Sequence, residues 1–194
     1  MIKLKYPLIL ASKSPRRQQL LRDAGFEFTI QALPVKEDYP EDLEIQEIPV
    51  YLSEKKAKAV APLVKDKIIL SADTIVTIQS RILGKPDSEK EAQEMLRLLS
   101  GKTHIVYSGV CIAFNGQCHS FVDTTEVIFK ELQRHEIEYY VQHYAPLDKA
   151  GAYGIQEWIG LIGIEKINGS YFNVVGLPVA KLYNTLQYLD LLVF

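Results

Sequence analysis

Cysteine is almost missing from this chain: two in 194 residues, Cys111 and Cys118. A chain of this length can bury a substantial core unaided, so a disulfide framework is excluded as the basis of the fold, and a reducing compartment is expected. An excess of charge of one sign is missing too. The formal net charge is -2, from 22 basic and 24 acidic residues, which argues against a nucleic-acid-binding surface or a polybasic membrane patch. A local anion site remains compatible with it. No apolar run nears the roughly 20 residues of a membrane span, and the apolar run in MIKLKYPLILAS is too short for a signal peptide. The four histidines, His104, His119, His135 and His143, never stand at ligand spacing on one element, which excludes a histidine-based zinc site. Neither the phosphate loop GxxxxGK(S/T) nor GxGxxG occurs, and no Ser-His-Asp or Cys-His set is apparent. Repeats and low-complexity linkers are absent.

What is present is ordinary in amount, 47% apolar and 24% charged residues, as in a globular domain. The arrangement is less ordinary. Lys67–Thr77, KIILSADTIVT, reads as a strand, too short and too β-rich for a helix. In its middle sits Asp73, a poor strand former whose burial costs free energy unless a cation or hydrogen bonds compensate it. A site explains such a residue better than a fold does.

Upstream, Leu8–Ala11 is a short buried strand running into SKSPRR. Ser14 suits an N-cap and Pro15 the first helical position, with the helix ending at Gly25. A strand, a polar loop and a helix start bearing Arg16 and Arg17 would suit phosphate; a capped helix with two solvated arginines is the competing reading. Phe26–Leu33 alternates as a strand. Pro34–Glu47 is an acidic loop. Ile48–Val60 is a helix with Val50, Leu52, Ala57 and Val60 inward and Lys55, Lys56 and Lys58 partly outward. After the Asp73 strand, Gln79–Arg81 turns the chain. Ile82–Leu83 returns toward Gly84-Lys85-Pro86, so a hairpin would bring Lys85 back toward Asp73, unless it is only a turn lysine.

Ser88–Ser100 is the clearest helix, with a capping box of Ser88 and Glu91. Strands Thr103–Phe114 and Gln117–Phe129 flank Asn115-Gly116, a strong hairpin signal. That register makes Cys111 and Cys118 diagonal neighbours roughly 7 Å apart, at the edge of disulfide reach, and both are expected to be buried thiols. Leu132–His143 is amphipathic. The loop PLDKAGAYGIQ (146–156) lets backbone approach a ligand at Gly151 and Gly154, and the Gln156 amide offers one donor and one acceptor, enough to read a base edge. Trp158–Ile167 reads as a strand, Tyr171–Val175 as its return, and Val179–Leu192 as a closing helix. The whole implies an α/β protein with a mixed, partly antiparallel sheet, in two lobes with a central cleft.

Six blocks, LASKSPRRQQLL, LSEKKA, SADTIV, LGKP, LSGKTHIVYSGV and DKAGAYGIQ…KINGSYFNVVGLP, occur in the order of the Maf family, and the chain closely resembles that family over nearly its whole length. The resemblance implies a single domain over 1–194 with the inosine-triphosphatase-like fold. It also implies a cytoplasmic homodimeric nucleoside triphosphate pyrophosphatase, with no nucleic-acid or membrane partner, dependent on Mg²⁺ or Mn²⁺. Carried over motif by motif, Asp73 activates water. Ser12, Arg16, Arg17, Lys56 and Lys85 bind phosphate. Glu37, or alternatively Asp38, joins Asp73 at the metal. Arg16, Thr74 and Gln156 select the base and resemble the branch acting on dTTP and UTP; the branch acting on 7-methyl-GTP has Trp in place of Arg16. The other class of function is a nucleotide-binding regulator of septum formation that needs no turnover.

Overall fold

Aliphatic runs bounded by turn residues become strands here, and the capped amphipathic stretches become helices. The computed structural model describes residues 2–193. In chain order the strands are β1 (Lys3–Leu4), β2 (Leu8–Leu10), β3 (Thr29–Ile30), β4 (Ile68–Ile78), β5 (Arg81–Leu83), β6 (Thr103–Phe114), β7 (Gln117–Phe129), β8 (Ile164–Asn168) and β9 (Leu192–Val193). The helices are α1 (Pro15–Asp23), α2 (Ile48–Val60), α3 (Glu89–Leu99), α4 (Arg134–Tyr144), α5 (Trp158–Gly163), α6 (Tyr171–Val175) and α7 (Val179–Tyr188). The main sheet has the order β3-β2-β4-β6-β7-β8, with β5 on β4, and β1 pairs β9 separately. β2 runs parallel to β3 and β4, whereas β5 is antiparallel to β4 and β8 to β7. The protein is thus mixed α/β with a mixed sheet. Among the described residues no helix is long and apolar enough to cross a membrane.

Two compact units divide the chain. The first comprises the residues through Asp73, Ser108–Asp123 and the segment from Gly176 on; the second comprises Thr74–Tyr107 and Thr124–Val175. In the first, Ile9, Ala11, Ala57, Val60, Ile69, Cys111 and Ala113 form one apolar cluster, joining β2, β4 and β6 to α2. The start of α2 lies against β6 at Gly109, where an added Cβ would stand 2.2 Å from the Pro49 carbonyl carbon and from the Val50 nitrogen. Only glycine admits so close a backbone. In the second unit, His104, Phe129 and Tyr153 pack ring against ring, with centroids 5.1–5.3 Å apart.

Several local expectations are corrected. Phe26–Leu33 supplies a ladder only at Thr29–Ile30, paired with the three-residue β2, and an isolated bridge from Phe26 to Ile2. Trp158–Ile167 is not one strand. It begins as α5, turned at its start by the Gly160 and Leu161 N–H groups donating to the Glu157 carbonyl at 2.9 and 3.2 Å; a short apolar run does not reveal which period it will adopt. Tyr171–Val175 is helical rather than extended, its first turn capped by the Ser170 hydroxyl accepting from the Asn173 N–H at 3.3 Å. The closing helix stops at Tyr188, and Leu192–Val193 pairs with β1. Cys111 is a buried free thiol, but Cys118 is free and exposed. The cover provided by α2 ends at Val60, and beyond it Cys118 borders a surface cavity of ≈ 380 Å³ with Lys58, Ala61 and Val64. Burial pushes the Cys111 thiol up to about 12.

Candidate active site

Ser12, Arg16, Arg17, Glu37, Lys56 and Asp73 all belong to the first unit. β2 ends in a polar turn where the Ser12 hydroxyl accepts from the Ser14 N–H at 3.3 Å. Ser14 then caps α1, accepting from the Arg17 N–H at 3.5 Å. Pro15 follows at the first helical position, where its missing N–H costs nothing. From this first turn Arg17 folds back. Its Nη1 donates to Ser12 Oγ at 3.2 Å and its Nε to the Gly176 carbonyl at 2.8 Å. Burial lowers the Arg17 pKa, nearby Asp73 opposes that shift and nearby Arg16 adds to it. Arg17 thus ties the turn at Ser12 to the Gly176 backbone, and Arg16 is half-buried beside it.

Lys56 sits at the centre of the acidic part. Its ammonium donates to Asp73 Oδ1 at 2.5 Å and to Glu37 Oε1 at 2.7 Å. Asp73 is 8% exposed, so the cation that its position in a strand demands is Lys56 of α2. Register between the two elements is set close by. Ser71 Oγ donates to the Ser53 carbonyl at 2.6 Å, two residues before Asp73 and one helical turn before Lys56. The neighbouring lysine takes a different acid: Lys55 pairs with Asp38, with Lys36 at 3.4 Å. That hydrogen bond from Lys55 holds the Asp38 carboxyl below its usual range. Successive helix positions point about 100° apart, so Glu37, not Asp38, is the loop acid brought to Asp73.

Thr74, Lys85 and Gln156 belong to the second unit. Thr74 follows Asp73 on β4 and is half-buried. The expected hairpin forms, with Gln79 and Ser80 at φ 49 and 62, and its ladder ends at Val76↔Leu83, two residues before the exposed Lys85. The Gly84 carbonyl beside Lys85 accepts from the Gly151 N–H at 3.0 Å. Gly151 has φ +70, and a Cβ there would meet the Val76 side chain at 3.0–3.3 Å. One glycine thus joins the strand after Thr74, the turn before Lys85 and the loop before Gln156. Gln156 is exposed and borders a cavity of ≈ 340 Å³ with Ile155, Gly160, Leu161, Ile164 and Tyr171.

The Maf family profile, described as Maf-like protein, matches residues 7–189. The chain belongs to the Maf family. Among curated relatives of the family, one from Phocaeicola vulgatus is 50% identical over 185 residues, covering 94% of this chain and 96% of the relative. Another, from Cytophaga hutchinsonii, is 51% identical over 180 residues, covering 93% and 83%. A third, from Bacteroides fragilis, is 46% identical over 187 residues, covering 95% and 97%. All three are named dTTP/UTP pyrophosphatase. The Staphylococcus aureus Ham1 protein is a distant structural likeness, with a TM-score of 0.44 and 12% identity over 63% of this chain and 71% of that one.

This Maf protein also carries polar residues that sequence reasoning did not single out. Lys149 is buried, with its ammonium 2.7 Å from Asp148 Oδ1 and 3.1 Å from Glu157 Oε1. The Tyr140 hydroxyl donates to Glu157 Oε2. Burial, then that carboxylate, raises the Tyr140 pKa. The signal was faint: a lysine inside an apolar, glycine-containing loop needs an acid, and Glu157 is the first one after it.

Proposed function

We propose that this Maf protein is a nucleoside triphosphate pyrophosphatase acting on dTTP and UTP, releasing the nucleoside monophosphate and pyrophosphate. The observation that carries the reading is the buried Asp73 carboxylate, held by one lysine ammonium that also holds Glu37. In this reading Asp73 takes a proton from water as the water oxygen bonds to phosphorus. The bridging P–O bond breaks, and pyrophosphate leaves with the electron pair. Ser12, Arg16, Lys56 and Lys85 grip phosphate oxygens, with Arg17 bracing Ser12. Thr74, Gln156 and Arg16 discriminate the base, the Gln156 amide matching the carbonyl and N–H edge of uracil or thymine.

The donor set suits a divalent cation. Among the described residues no cluster of three or more His, Cys, Asp or Glu could cage a metal, but magnesium uses one or two carboxylates with waters and substrate phosphates. Glu37 and Asp73 are two carboxylates gathered on one positive charge, and they would hold Mg²⁺ or Mn²⁺. The ion would supply neutralisation of phosphate charge. Lys56 keeps both acids gathered.

A pyrophosphate-release assay over dTTP, UTP, CTP, GTP and 7-methyl-GTP, with and without Mg²⁺, tests the reading. The expected result is metal-dependent release greatest with dTTP and UTP. Nucleotide binding without release from any of the five overturns it.

A further inference from the structure

We propose that Tyr140 and Glu157, braced by Lys149, are positioning residues that set nucleotide choice by fixing the backbone turn that carries Gln156. The proposal rests on the reading above, in which Gln156 faces the base.

Gln156 is the third residue of a tight turn, Gly154-Ile155-Gln156-Glu157, closed by the Glu157 N–H donating to the Gly154 carbonyl at 3.0 Å. The Tyr140 hydroxyl spans that turn. It accepts from the Gly154 N–H at 3.0 Å and donates to Glu157 Oε2. A single oxygen thus bonds the first residue of the turn through its backbone and the last through its side chain. The other Glu157 oxygen faces the Lys149 ammonium at 3.1 Å, and that ammonium also meets Asp148. Tyr140 and Lys149 are 0% and 7% exposed.

Burying ions here costs desolvation that apolar side chains of the same volume would avoid. What the polar set supplies is direction. An amide tells one base from another only by where its donor and its acceptor stand. Gln156 itself is exposed, so its orientation rests on the backbone beneath it, and one phenol bonds that backbone at its first residue and the side chain of its last.

The test compares pyrophosphate release from UTP and CTP by wild type, Tyr140→Phe, Glu157→Gln, Gln156→Ala and the double variant Tyr140→Phe/Gln156→Ala. Folding is followed by circular dichroism. Tyr140→Phe removes one oxygen and keeps the ring; Glu157→Gln keeps the shape and decides the matter if the first variant does not fold. The UTP-to-CTP ratio of kcat/KM is expected to fall about fivefold in each, the effect of one hydrogen bond, through a higher KM with kcat little changed. In the Gln156→Ala background Tyr140→Phe is expected to leave the ratio unmoved, because the two act as one unit. If Tyr140→Phe and Glu157→Gln lower thermal stability and slow both substrates equally, the network is merely structural and the proposal fails. A wild type that prefers UTP, with Gln156→Ala alone abolishing the preference, would overturn the positioning role while sparing the proposed function. A wild type that releases no pyrophosphate, or a Gln156→Ala variant with its preference intact, removes the reading on which the proposal stands.

Discussion

At the scale of single residues, Asp73 is held where a carboxylate is expensive, and Lys56 meets that cost. The pair makes separable predictions. Asp73→Asn keeps the shape and removes the base, so turnover should fall by about 10²–10⁴-fold, the range of general-base catalysis, with the circular dichroism spectrum unchanged. Retained turnover would sink the base role. Lys56→Met instead leaves Asp73 buried beside Glu37 without the ammonium that joins them. Breaking such a pair from one side costs about 3 kcal/mol, read as a lower urea midpoint, and added Mg²⁺ should restore part of it. Asp73 was conspicuous in the sequence because Asp is out of place in a strand. The choice between Glu37 and Asp38 was not, since adjacent loop acids differ only in which face of α2 they meet. Arg17 reads in the sequence as a partner of Arg16 in gripping an anion, and its hydrogen bonds to Ser12 and Gly176 were not foreseeable from that motif.

At the scale of elements, the parts with local chemistry were legible. Asn115-Gly116 turns between β6 and β7 with φ 48 and 78, and Ser88 caps α3 by accepting from the Glu91 N–H at 3.2 Å. Glu91 reaches back to the Asp87 N–H at 2.7 Å, one residue beyond the expected box. The rest was not legible: short apolar runs hid the periods of α5 and α6, and the β1–β9 ladder is settled by contacts distant in sequence. The close approach of α2 to β6 is of that second kind, and Gly109 exposes it to test. Gly109→Ala should force α2 off the strand and destabilise the protein by about 2 kcal/mol, the usual cost of overpacking. Because α2 also carries Lys56, pyrophosphate release should fall with it. An unchanged urea midpoint would mean the contact is slack.

At the scale of the whole molecule, stability should depend on pH through His104. This side chain is 1% exposed, its Nε2 lies 2.7 Å from the Tyr153 hydroxyl, and its Nδ1 has no hydrogen-bond partner among the described residues. Burial lowers its pKa from 6.5 to about 4. The unfolded chain therefore binds the proton more readily than the folded one. The resulting stability is fully present above pH 6.5 and is lost as pH falls toward 4, up to about 3 kcal/mol by linkage. Urea midpoints measured from pH 7 to pH 4 should decline more steeply for wild type than for His104→Gln; parallel curves would contradict the assignment. Chelation should behave differently. EDTA is expected to stop pyrophosphate release while leaving the melting temperature nearly unchanged, since Lys56 already pairs with both Glu37 and Asp73. A large drop in melting temperature would place a structural ion in the fold. With a built-in ammonium already seated on both acids, the fold is expected to outlast the loss of divalent ions, and a stripped sample should resume work upon resupply.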